Sequence, residues 1–247
     1  VPCLILGRSK REHSMIAECR LCLQSKELKD SHIWPAFTLR WLKKNSLSPY
    51  LRTVGEPNKR KQELPTEKLL CGVCEGKFSR WEDQAATNIF KPWNDHRKLP
   101  LSYGSWFQKF AISLVWRAGV SLYEDYKDKC PDLIDCFDKA LEHWRLYLLG
   151  ENKAVKPYEH HVFFLTTTKN LEIPEKFHAY CLGGFDYSYV ATKHRVYMYF
   201  LIPGMLFFSS IQPTKLRSCK GTLIGKKGEF RPAQVLGEGE IGSFLIS

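Results

Sequence analysis

The sequence predicts an α+β protein, and three observations carry that prediction. Two Cys-x-x-Cys pairs, Cys19-Arg-Leu-Cys22 and Cys71-Gly-Val-Cys74, frame a segment of mixed texture near the start of the chain. Between residues 105 and 149, apolar side chains recur at helical spacing in two long stretches. After Tyr158 the texture changes to short runs rich in aromatic and β-branched residues, separated by Gly183-Gly184, Lys193-His194 and Pro203-Gly204. That pattern predicts an antiparallel β meander.

The elements follow in order. Residues 2–6 are apolar, but the run is too short for a secretory signal and basic residues follow it. Residues 1–14 read as an upstream extension, with a compact module beginning near Met15. Leu23–Asp30 is polar and turn-like, and Ser31-His32-Ile33-Trp34 is a short strand or hairpin arm. Pro35 can open a helix, where its missing N–H is harmless. On that helix Phe37, Trp41 and Leu42 face inward, Arg40, Lys43 and Lys44 face outward, and Asn45 is the expected stop. Residues 46–65 hold four prolines and glycines among Arg52, Lys59, Arg60 and Lys61, and read as a basic loop. The next helix places Phe78, Trp81, Ala85 and Ile89 on one face and is expected to end at Pro92.

Ser105 and Gln108 have the spacing of a capping box, ahead of a helix with Phe107, Phe110, Ala111, Leu114, Ala118 and Leu122 on one face. Pro131 opens its partner, with Leu133, Phe137, Leu141, Trp144 and Leu148 inward and Gly150 at the end. Together they form a helical hairpin. Strands are expected at 161–167, 178–182, 185–192, 195–202 and 205–211, with one or two edge strands from the Gly-rich tail. The apolar run from Val196 to Phe208 is broken by Pro203-Gly204, so it reads as two buried strands, not a membrane span.

Net charge is +11, and it is not evenly spread. Residues 1–98 carry 19 Lys and Arg against 11 Asp and Glu, residues 99–150 carry 6 against 7, and residues 151–247 carry 12 against 8. The basic excess sits with the cysteine pairs and points to an anionic partner, nucleic acid first. Four of the nine cysteines lie in the two pairs; the other five are irregularly spaced and odd in number. That suits a reduced, cytoplasmic setting better than a disulfide framework.

Four thiolates in two knuckles fit a tetrahedral structural zinc site formed by Cys19, Cys22, Cys71 and Cys74. A knuckle, a hairpin, and a helix opening on the second Cys pair follow the order of a treble-clef zinc finger. The expected organisation is therefore a treble-clef module over 15–98, then a helical hairpin and an antiparallel sheet packed as one unit over 99–247.

Cys19, Cys22, His32, Pro35, Cys71 and Cys74 together resemble the HNH, or His-Me finger, superfamily of nucleases. The wider series Cys-x-Leu-Cys, Ser-His-Ile-x-Pro (31–35), Leu-Leu-Cys-x-x-Cys-Glu (69–75), Phe-Ser-x-x-Glu (78–82) and Ser-Leu-x-Trp-Arg-Ala (113–118) resembles a bacterial group of HNH-like proteins. The resemblance implies that His32 takes a proton from water and that a divalent ion, Mg²⁺ or Mn²⁺, neutralises charge at the scissile phosphate. It implies cleavage of DNA or RNA, in the setting of bacterial defence. The chain departs from that pattern at three places. Ser31 stands where Asp or His precedes the base, Glu75 follows the last cysteine in place of Asn or His, and Thr66 falls where an Asn steadies the base. Glu75 is then the carboxylate available to a catalytic metal.

Three readings of this segment stay open: a divergent nuclease with His32 as base and Glu75 as ligand; a zinc module that binds nucleic acid without cutting it; and a His32 that only hydrogen-bonds the hairpin or caps the long helix. In the first two, Arg40, Lys43, Lys44, Arg52, Lys59, Arg60 and Lys61 contact phosphates. A protein–protein adaptor that docks through the C-terminal sheet is a further class. Glu82 is expected to be a surface charge or a partner of Arg80 or Lys77, and Arg117 to pair with an acid inside the helical layer or to pack along its stem.

Overall fold

The computed structural model describes residues 16–48, 50–53, 56–129, 131–166, 182–191, 196–213, 221–231 and 235–236. It is a mixed helix-and-sheet structure. The first part is a small antiparallel sheet in which β1 (Ile16–Glu18) and β5 (Thr66–Cys71) flank β2 (Ser25–His32). Between β2 and β5 the chain inserts α1 (Ala36–Asn45) and a hairpin of β3 (Leu51–Thr53) and β4 (Glu56–Lys61). The stretch read as a basic loop therefore contains a two-stranded arm. Helix α1 behaves as its periodicity demands. Phe37, Trp41 and Leu42 are buried, Arg40, Lys43 and Lys44 are exposed, and the helix ends at Asn45.

Strand β5 leads straight into α2 (Gly72–Ala85). The helix does not stop at Pro92. A wider turn over Ala86–Phe90, with bonds reaching five residues instead of four, passes the chain into α3 (Lys91–His96). Pro92 then lies in the first turn of α3, where no helical N–H is required of it. Strand β6 (Leu101–Tyr103) pairs with β11 (Gly228–Phe230), and the Tyr103 and Phe230 rings stack at 4.3 Å.

Helix α4 (Ser105–Ser121) is the centre of the molecule, buried on every side from Phe107 to Gly119. Its polar residues are all answered. Gln108 donates to the Ile224 carbonyl at 2.8 Å and accepts from the Tyr147 hydroxyl at 2.7 Å. The capping box is therefore absent: Gly104 is the N-cap, and the Gln108 amide is spent inside the core. Helix α5 (Tyr123–Lys129) and a single turn at Pro131–Leu133 connect α4 to α6 (Ile134–Leu149). Gly150 closes α6 at φ +92°, a conformation that favours glycine.

The largest sheet has the order β12–β7–β10–β9–β8, from β7 (His160–Leu165), β8 (Asp186–Ala191), β9 (Val196–Ile202), β10 (Met205–Ser210) and β12 (Val235–Leu236). Strands β8, β9 and β10 form a meander as expected. Strand β7 does not continue it; it crosses to the far side of β10, and β12 adds to it in parallel. Of the strand expected at 178–182, only Leu182 lies within the described residues. The alternation of β7, β9 and β10 buries both faces. Phe164, Met198, Phe200, Ile202, Met205 and Phe207 join the main core, and Phe163, Leu165, Tyr197, Leu206 and Phe208 form a second cluster with Leu182. The main cluster runs without a break from Cys19 to Phe230, so α4 packs against α2 as well as α6.

The Pro203-Gly204 turn ties this sheet to α3. Gly204 has φ +71°; its N–H donates to the Leu182 carbonyl, and its carbonyl accepts from the Leu165 N–H and from Trp93 Nε1. A Cβ at this position would collide with the Asn94 carboxamide. Gly204→Ala combines left-handed strain with that collision and is expected to lower stability by about 2–3 kcal/mol. A denaturation midpoint equal to that of the parent would refute this account of the turn.

Candidate functional site

The four cysteines of the two pairs come together. Cys19 and Cys22 occupy the tight turn between β1 and β2, where the Leu23 N–H donates to the Cys19 carbonyl at 2.8 Å and the Cys19 N–H to the Gln24 carbonyl at 3.0 Å. The turn puts Leu23 at φ +56°, an uncommon conformation for a branched side chain. Cys71 is the N-cap of α2 and Cys74 lies in its first turn. The four Sγ atoms all lie within 4.8 Å of one another, with Cys22 and Cys71 at 3.9 Å. A tetrahedron with metal–sulfur bonds of about 2.3 Å has edges of about 3.8 Å, so the set can hold a metal ion such as zinc. It does not suit a disulfide, whose sulfurs stand at about 2.05 Å.

The thiols perturb one another strongly. Burial pushes the Cys71 thiol up, but hydrogen bonds from the Cys74 backbone and from the neighbouring thiols outweigh burial and bring it down to about 7. Burial and the nearby Cys19 charge push Cys74 well above the ordinary thiol range. The Cys71 N–H donates to Cys19 Sγ at 3.3 Å, the kind of contact that favours a thiolate.

The second cluster is built where β2 ends. Ser31 lies opposite Glu67 and His32 opposite Thr66 across the β2–β5 ladder. Ser31 is fully buried, and its hydroxyl donates to Glu75 Oε2 at 2.8 Å. Glu75 sits in the first turn of α2, next to Cys74. Burial pushes its carboxyl up; the Ser31 hydroxyl and the charges of Arg117 and His32 pull it back, and Glu82 pushes it further up. The half-buried imidazole of His32 makes no hydrogen bond or ion pair among the described residues. Two residues on, Trp34 Nε1 donates to the Leu201 carbonyl at 3.2 Å, and its ring packs against Tyr187 at 4.7 Å and Phe200 at 6.0 Å. The strand end that carries His32 is thereby fastened to the large sheet.

The fold thus brings His32 close enough to Glu75 for its charge to act on the carboxyl, with Glu75 directly following Cys74. Arg40, Lys43 and Lys44 are exposed on α1, away from any ion pair among the described residues. Arg52, Lys59, Arg60 and Lys61 belong to the β3–β4 arm, and their side chains lie outside the described residues.

Two further residues belong to the cluster. Arg117, 1% exposed in the middle of α4, donates from Nη2 to Glu82 Oε1 at 2.7 Å and from Nη1 to the His32 carbonyl at 2.6 Å. Glu82 therefore pairs with Arg117, not with Arg80 or Lys77. It is seven residues beyond Glu75, two turns along the same helix face. An arginine within an apolar helix was the available signal, and of its two expectations, an acid partner or packing along the stem, the acid partner is found in the half-buried Glu82. Nothing in the local sequence pointed to which acid, or to the His32 carbonyl.

No helix among the described residues is long and apolar enough to cross a membrane. Comparison of the chain with protein-family models, with curated proteins and with solved structures returned no match.

Proposed function

We propose that this protein is an HNH-like, metal-dependent nuclease that hydrolyses phosphodiester bonds in DNA or RNA, with His32 as general base. The four cysteines hold a structural zinc ion, and the knuckle, the β2–β5 hairpin and α2 form a treble clef around it. The observation that carries this reading is the 2.8 Å hydrogen bond from Ser31 to Glu75. It joins the end of the strand bearing His32 to the first turn of the helix bearing Cys74, which are the two places where the nuclease pattern keeps its base and its metal ligand.

Glu75 would hold a divalent ion. Mg²⁺ requires only one or two carboxylates and fills its remaining positions with water, so a single half-buried glutamate beside a hydroxyl fits it. Such an ion supplies charge neutralisation at the phosphate when bound. His32, whose ring nitrogens are not engaged by neighbours among the described residues, is left to accept a proton from the attacking water. Arg40, Lys43 and Lys44, with Arg52, Lys59, Arg60 and Lys61 of the β3–β4 arm, supply a basic surface for the phosphate backbone. With a hydroxyl at 31 and threonine at 66, turnover is expected to be slow.

One observation favours a second reading, a zinc module that binds nucleic acid without cutting it. The Arg117 guanidinium already supplies positive charge next to Glu75 and Glu82. Incubation of the purified protein with plasmid, linear DNA and RNA across Mg²⁺ and Mn²⁺ separates the two. The nuclease reading expects cleavage that His32→Ala abolishes, with zinc content and binding unchanged, and that Glu75→Ala removes or makes less responsive to the added ion. Cleavage that persists in His32→Ala would sink the assignment of the base. Tight binding without cleavage under every condition would establish the second reading.

A further inference from the structure

The His32 imidazole has no hydrogen bond of its own among the described residues, so its aim is set entirely by the backbone that carries it. Besides the β2–β5 ladder, that backbone is held at three nearby points. The Ser31 side chain is tied to Glu75, the His32 carbonyl to Arg117, and the Trp34 indole to the Leu201 carbonyl. Of these, only the bond from Arg117 acts on His32 itself.

Arg117 is built for that bond. Its Nε donates to the Ser113 carbonyl one turn back on α4, Nη1 reaches the His32 carbonyl on β2, and Nη2 reaches Glu82 on α2. The guanidinium carbon lies 5.4 Å from the centre of the Phe78 ring. Three elements therefore meet at one planar fork, and only arginine offers diverging donors with that fixed geometry. Stability alone does not account for the pair. A buried ion pair is often matched or improved on by apolar side chains of similar size, and α4 is otherwise lined with them. The pair is retained at the point where it touches the carbonyl of the candidate base.

Resting on the nuclease reading, we infer that Arg117, itself held by Glu82, is the positioning residue for His32. It does the work that the pattern assigns to the position occupied here by Thr66, from a different helix and through the backbone carbonyl. Arg117 touches neither water nor phosphate in this role. It fixes where the imidazole points.

The test uses the full-length, zinc-loaded protein and two variants. The double variant Arg117→Met with Glu82→Leu removes both charges together, which avoids leaving one of them buried and unpaired. Glu82→Gln keeps a hydrogen-bond acceptor for Arg117 and is the milder change, available should the double variant not fold. The first readout does not depend on activity: the ring NMR signals of His32, assigned by their loss in His32→Gln. They are expected to shift and broaden in the variants while those of His143 on α6 stay in place. Unmoved His32 signals would overturn the inference. The second readout is hydrolysis of DNA or RNA with Mg²⁺ or Mn²⁺. Here kcat is expected to fall about 100-fold in the double variant with KM within twofold, the size of effect that a misplacement of about 1 Å produces. A loss expressed in KM, or no loss, would also overturn it. A parent protein that never cuts would sink the nuclease reading alone, and the NMR arm would still decide whether Arg117 sets the orientation of His32.

Discussion

With the zinc ion proposed for the four cysteines in place, stripping it with a chelator, or replacing Cys71 with serine, is expected to unfold the region from β1 to the start of α2. The four thiols approach within 4.8 Å, a distance that thiolates tolerate only around a cation. Apart from the thiols, two hydrogen bonds tie the knuckle to the rest of the fold: the Arg20 N–H donates to the Leu69 carbonyl at 3.0 Å and Arg145 Nη1 to the Leu21 carbonyl at 2.9 Å. The knuckle turn depends on Leu23 at φ +56° and on two backbone hydrogen bonds, and β1 is three residues long. Zinc in small modules contributes an apparent ~10–16 kcal/mol at neutral pH, more than the usual stability of a domain. The loss should be graded across the molecule. Cys19, Leu21, Leu28, Leu70 and Cys74 are the shared core's contribution from the knuckle, β2, β5 and α2, whereas Phe164, Phe200 and Phe207 come from the large sheet. Hydrogen exchange should therefore show protection vanishing first in β1, β2, β5 and the first turn of α2, with α4 and β7–β10 opening later. Protection in β2 and β5 that is unchanged once the metal is gone would show that the site does not hold this region together.

What could be read from the sequence divides along a physical line. Interactions encoded within a few residues were legible. Thiol spacing gave the four-cysteine cluster, apolar periodicity gave α1, α4 and α6, and glycine marked the end of α6. His32 and Glu75 were singled out through the resemblance to the HNH pattern, and the structure joins their surroundings through the hydrogen bond from Ser31 to Glu75. Features decided by docking were not legible. Gln108 had the right spacing for a cap, but the Ile224 carbonyl and the Tyr147 hydroxyl, more than 100 and about 40 residues away, won its amide. Pro92 ends helices as a local rule, yet the wider turn before it let the chain carry on. The pairing of Arg117 with Glu82 and the His32 carbonyl spans 35 and 85 residues, and it exists only because α4 crosses α2 and the end of β2. The same holds for β7, whose alternation gave a strand but not its place beside β10.

The C-terminal half should lose stability in acid well before its carboxylates are protonated, and His160 is the reason. This residue opens β7 and is 2% exposed. Its Nδ1 lies 2.7 Å from the Ser209 hydroxyl on β10, and its ring packs against Trp144 of α6 at 5.2 Å. Burial drives its pKa from the ordinary 6.5 down to about 3, and the charges of His161 and His143 push it the same way. The sign follows directly. In the unfolded chain the imidazole gains a proton near pH 6.5, whereas in the folded protein it stays neutral until about pH 3. Between those values the unfolded state binds more protons, so stability is complete above pH 6.5 and falls as the pH drops, levelling off only near 3. The slope contributed by one such group is about 1.4 kcal/mol per pH unit, so the move from pH 6.5 to 4.5 removes about 3 kcal/mol. That is a large share of the 5–15 kcal/mol typical of a domain. Glutamine can keep a hydrogen bond to Ser209 and does not titrate. His160→Gln should therefore be somewhat less stable at pH 7.5, through lost contact with Trp144, but its stability should decline far less between pH 6.5 and 4.5. Urea titrations at half-unit pH steps measure both curves. If the two run parallel through that window, the neutral buried state of His160 is not what makes the fold acid-sensitive.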